Sequence, residues 1–189
     1  MKLHKLVISV TLAIAATTTI QAATNTSTQA ESISIDQSEQ TFFNHPPLLI
    51  RAAAAQTGRD ISSSYEFTLT VPKDAGQPLK AVKIAQAKNL ETVKFDINNS
   101  KAFASERFAA GPEIGLASIG GNDRPSTSGE AIVVFDRPVQ PGSTVTVVLA
   151  AQKNPSLDGV YLFGVTAYPA GNNGLGQFLG YGRINFYNN

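Results

Sequence analysis

The chain has no cysteine and two histidines, His4 and His45, and it carries no run of like charge. Without cysteine it can form no disulfide, carry no lipoprotein anchor and build no Cys/His zinc site. A metal held by two histidines is excluded once His4 is lost with the leader described below. The scattered charges offer neither a basic patch for nucleic acid nor a polybasic patch for a membrane surface. Stability therefore has to come from core burial, for which 42% apolar residues suffice in a single domain of this length.

A long apolar run is also missing. The longest, Leu6 to Ile20, is interrupted by Thr17, Thr18 and Thr19 and falls short of the roughly 20 apolar residues of a spanning helix. Lys2 and Lys5 precede it and the small residues Ala22 and Ala23 follow it, the pattern of a cleaved signal peptide over residues 1–22. An uncleaved N-terminal anchor is the alternative. Removing Lys2 and Lys5 from the 15 basic residues leaves 13 against 14 acidic ones, a formal charge of −1. Residues 23–44 are rich in Thr, Ser, Gln, Asn, Glu and Asp, with Ile33 and Ile35 the only branched aliphatics, and read as a flexible leader. Phe42 and Phe43, next to His45-Pro46-Pro47, are expected to pack on the domain edge.

From residue 45 to 189 the chain reads as short strands divided by Pro, Gly and Asn. Tyr65, Phe67, Leu69 and Val71 alternate with Glu66, Thr68 and Thr70, and the run stops at Pro72. Val82 and Ile84 open a second strand. Val93, Phe95 and Ile97 form a third that Asn98-Asn99 is expected to end. Ile132 to Phe135 is continuously apolar, as for a strand covered on both faces, and breaks at Pro138. Val145, Val147 and Leu149 alternate again, and Tyr161 to Ala167 and Phe178 to Tyr187 supply the last strands. Ala52 to Gln56 and Ala102 to Phe108 are the two places that read as a helical turn or two. Eight or nine strands without an amphipathic helix predict an all-β fold: a single antiparallel β-sandwich of immunoglobulin-like type. An outer-membrane barrel fits less well, since its strands need roughly 9–11 residues of sustained alternation.

Catalytic signals are sparse. A Ser-His-Asp triad would have to use His45, which sits in a Phe-rich, Pro-flanked segment, and no serine stands in a nucleophile-elbow context. Glu66, Asp96, Glu113, Asp123, Glu130, Asp136 and Asp158 contain no pair that spacing singles out for glycoside chemistry. Asp96-Ile97-Asn98-Asn99-Ser100 and Asn122-Asp123 are oxygen-rich, but neither completes a calcium loop, and ordinary turn chemistry accounts for both. Gly120-Gly121 and the series Gly171, Gly174, Gly176, Gly180 and Gly182 lack the strand-loop-helix context of a phosphate cradle. No catalytic residue, cofactor or metal ligand is assigned. Of the C-terminal aromatics Tyr161, Phe163, Tyr168, Phe178, Tyr181, Phe186 and Tyr187, most are expected in the core. Tyr168, Tyr181 and Arg183 are the candidates for contact with a partner, because tyrosine and arginine are favoured at interfaces.

The run from Val160 to Gly171, VYLFGVTAYPAG, and the later FLGYGRINFY from Phe178 to Tyr187 resemble the C-terminal signature of a secreted cyanobacterial family defined only as a domain of unknown function. Pro46-Pro47-Leu48, the strand from Tyr65 to Pro72, Ala75 to Leu79, Phe95-Asp96, Ala102-Phe103 and Pro138 to Val147 extend the similarity over most of the domain. The resemblance implies a periplasmic or surface location in a photosynthetic bacterium and brings no catalytic residue. The reading is an exported cell-envelope binding or structural module that meets an envelope protein or polysaccharide, with no nucleic acid and no stable membrane insertion after cleavage. The alternative is a hydrolase of envelope or extracellular polymers. A strand-exchanging subunit using the leader is disfavoured by the leader's lack of sustained apolar alternation.

Overall fold

The computed structural model describes residues 40–107, 110–119 and 128–187. The expected signal peptide, the leader as far as residue 39, Phe108, Gly120-Gly121 and Asn122-Asp123 lie outside the described residues. Within them the strands are β1 (Leu48–Ala54), β2 (Ser63–Thr70), β3 (Leu79–Gln86), β4 (Phe95–Phe103), β5 (Leu116–Ile119), β6 (Glu130–Val139), β7 (Thr144–Ala151), β8 (Gly159–Pro169) and β9 (Gln177–Phe186). No described residue is helical. The strands form two antiparallel sheets, ordered β1-β2-β7-β4 and β5-β6-β3-β8-β9, and the core lies between them.

The alternation read in β2 holds. Tyr65, Phe67 and Leu69 are fully buried and pair in register with Leu149, Val147 and Val145 of β7, which are fully buried too. Residues directly opposite on antiparallel strands share a face, so these six side chains form two adjacent inward rows. From the other sheet, Val82, Ile84, Val133, Phe135, Tyr161, Phe163, Val165, Ile184 and Phe186 complete the core. Phe163 sits at its centre, with ring centroids 5.5 Å from Tyr65, 5.8 Å from Phe67 and 6.3 Å from Phe95.

Several local expectations are corrected. Ala52–Ala54 are strand, because they pair with Phe67, Glu66 and Tyr65. Ala102 and Phe103 likewise pair with Val147 and Thr146, so neither segment turns into helix there. Asn98-Asn99 does not end β4 but forms an irregularity inside it. Asp96 accepts hydrogen bonds from the Asn98 N–H at 3.2 Å and from Asn99 Nδ2 at 2.8 Å, after which Lys101 to Phe103 pair with β7 again. In β6, Ala131, Val133 and Phe135 are buried while Ile132 and Val134 are half-buried, so one face is covered and the other is partly open. The strand also continues through Pro138 to Val139.

Glu66, Thr68 and Thr70 do point away from the core, yet Thr68 and its partner Thr146 are fully buried. The segment after β4 crosses over them. The Thr68 and Thr146 hydroxyls bond each other at 2.9 Å, and Thr146 Oγ1 donates to the Ser105 carbonyl at 2.8 Å.

The chain is packed on the domain before His45. Phe43 is buried, Asn44 N–H donates to the Ala75 carbonyl at 2.9 Å, and Thr41 Oγ1 donates to the Asn172 carbonyl at 2.9 Å. Both flanks of the edge strand β9 are tied down as well: Leu175 N–H donates to the Thr41 carbonyl at 3.0 Å, and Tyr187 N–H to the Thr57 carbonyl at 3.2 Å.

Candidate functional site

The outward row of β8 and β9 gathers the residues singled out for partner contact. Register pairs Thr166 with Phe178, Gly164 with Tyr181, Leu162 with Arg183 and Val160 with Asn185. Phe178 and Tyr181 are three residues apart, a spacing that puts side chains on opposite faces of a regular strand. A register shift opposite Val165 and Thr166 inserts an extra residue, and Gly180, at φ +120°, takes up the distortion. Both rings therefore emerge on the outer face, 58% exposed each, in an edge-to-face contact with centroids 5.1 Å apart.

Gly164 lies beneath them. A Cβ there would stand 3.1 Å from the Phe178 ring and 3.4 Å from the Tyr181 ring, so the absent side chain is what lets both rings lie close to the sheet. Leu162 and Val160 continue the apolar surface along β8, both exposed. Arg183 is exposed, and its Nε donates to Asn185 Oδ1 at 3.3 Å. Among the described residues it has no carboxylate partner within ion-pair distance.

Tyr168 is on the same outward row but half-buried, lying against Gly176 and so less available than Tyr181. Fewer than half of the seven C-terminal aromatics are in the core, against the expectation of most, and Phe178 is among those outside it. Regular alternation from Ile184 and Phe186 assigns Phe178 to the core, and only the irregularity at Gly180 reverses it. Tyr161, Phe163 and Phe186 are core residues, whereas Tyr187 is exposed.

Four of the carboxylates considered for hydrolysis are engaged separately. Glu66 is bonded by Arg51, Glu113 by Lys101 at 3.1 Å, Glu130 by Lys83 at 2.8 Å and Asp158 by Arg59 at 3.5 Å. The Arg51–Glu66 pair opens on a cavity of about 660 Å³ that Ile50, Glu106 and Arg107 also line, with charges of both signs in equal number. His45 is exposed and contacts Asp74, its Nδ1 lying 3.2 Å from the carboxylate. Among the described residues no three acidic or histidine side chains group to hold a metal ion. Glu91 accepts bonds from the Ser156 hydroxyl and from the Ser156 N–H at 2.8 Å, which hold its carboxyl below the usual range. Burial raises the Tyr161 phenol, and the Glu91 charge adds to it.

The chain belongs to the family described as a protein of unknown function, DUF2808, which matches residues 40–186. No curated protein matches it. Among solved structures it is similar to an uncharacterized protein from Nocardia farcinica with an immunoglobulin-like fold, at 14% identity and a TM-score of 0.45, covering 72% of this chain and 96% of that one. It is similar at 12% identity and a TM-score of 0.44 to the C-terminal domain of the Streptococcus agalactiae antigen I/II polypeptide BspA, covering 76% of this chain and 50% of that one. The collagen-binding subdomain of the Enterococcus faecalis surface protein ACE aligns at 7% identity and a TM-score of 0.42, over 77% of this chain and 97% of that one. The fold is an all-β sandwich of two antiparallel sheets.

Proposed function

We propose that this is an exported cell-envelope module, released from a signal peptide over residues 1–22, that binds an envelope protein or polysaccharide through the outer face of β8 and β9. The observation that carries it is the exposed Phe178–Tyr181 pair beside Arg183. Two large rings held in water on a rigid sheet are the composition of an interface centre rather than of an ordinary surface. Export rests on the basic, apolar and small-residue order of the first 22 residues, and a cyanobacterial source on the resemblance alone.

The test is a pull-down from envelope extract with the exported protein, comparing it with Tyr181→Ala and Arg183→Ala variants whose thermal transitions are unchanged. A partner lost with the variants supports the reading. Shortened glycan or peptide products with no partner would replace it with the hydrolase. Intact mass should place the N-terminus of the exported chain at Ala23.

A further inference from the structure

Resting on that reading, we infer that the occupant of the β8–β9 face is an acidic polysaccharide, one whose sugars carry carboxylates. The outward row runs from Val160 to Tyr168 on β8 and from Phe178 to Asn185 on β9, and Arg183 is its single charged member. It is a cation without a carboxylate among the described residues, set beside two exposed rings. Such a face is complemented by a ligand that joins negative charge to a C–H-rich surface.

Pyranose rings have that combination. Their C–H groups meet the electron-rich face of an aromatic ring, and a uronate carboxylate matches the planar fork of a guanidinium. Tyr181 and Arg183 are two residues apart on one strand face, a separation of about 7 Å, which lets ring and guanidinium meet neighbouring parts of one polymer. Asn185 adds an amide to bond hydroxyl groups.

The experiment measures binding of the full exported protein to polygalacturonate and to the same polymer after carboxyl reduction. Expected are binding that weakens with salt, a roughly tenfold or greater preference for the carboxylated polymer, and a loss of roughly tenfold or more in Arg183→Ala. Arg183→Lys should recover part of it, and Tyr181→Ala should weaken both polymers with an unchanged thermal transition. Equal binding of the two polymers, or an unaffected Arg183→Ala, overturns the acidic-sugar inference. If neither polymer binds while a protein partner is still lost with Tyr181→Ala, the inference fails and the proposed function stands. If a folded Phe178→Ala/Tyr181→Ala protein keeps every partner, both fail.

Discussion

The Tyr65 phenol donates a hydrogen bond of 2.9 Å to Asn154 Oδ1, both residues being fully buried. The same Asn154 side chain donates through Nδ2 to the Gln56 carbonyl at 2.9 Å and to the Gly58 carbonyl at 2.7 Å, so one amide fastens the loop between β1 and β2 to the core. Burial raises the Tyr65 phenol far above its usual range, which keeps it a neutral donor. Asn154→Ala would strand the phenol and two carbonyls and should cost about 3 kcal/mol, with Tyr65→Phe costing about 1 kcal/mol. Urea unfolding of the two variants and the double variant checks this; additive losses would show that the two groups act independently.

Truncation at the centre of the core should be costlier. Phe163→Ala removes a ring that touches Tyr65, Phe67 and Phe95 and should destabilise by about 3–5 kcal/mol, read as a fall in the urea midpoint. A loss below about 1 kcal/mol would mean that the cluster repacks.

Gly180 gives a separate test of how the outer face is made. Any side chain at φ +120° is strained, so Gly180→Ala should cost about 1–3 kcal/mol although open space surrounds the position. In the folded variant, contacts between the Phe178 and Tyr181 rings in NMR spectra should weaken if the strand regularises. Unchanged stability and ring contacts would count against the role given to this glycine.

Acid should act through Glu91. Its carboxyl is lowered in the folded state by the Ser156 hydrogen bonds, so its stabilising contribution is present above the unfolded carboxylate range and disappears as pH falls through the folded value. Glu91→Gln should therefore flatten the decline of the melting temperature with falling pH across the acidic range. A slope identical to that of the natural protein would remove Glu91 from the account.

The inward rows are legible in the sequence wherever apolar and polar residues alternate, as at Tyr65 to Val71 and Val145 to Leu149. Burial of Thr68 and Thr146 is hidden there, since it depends on a segment from after β4 crossing the sheet. Asn98-Asn99 has turn chemistry, and a turn forms, but the strand resumes beyond it because Lys101 to Phe103 find partners on β7. Tyr181 and Arg183 are readable as outward by parity with Ile184 and Phe186. Phe178 is not, because an inserted residue inverts parity and leaves no signal except a glycine among many.

The ties at Leu175 and Tyr187 leave β9 without a loose end. The amides it donates to β8 should exchange hydrogen with solvent more slowly than those of an edge strand with frayed ends, while the amides on its open side exchange freely. A ligand reaching Phe178 and Tyr181 then meets rings already in place. The ordering cost of association falls on the ligand, and a stiff polymer would lose less by it than a flexible one.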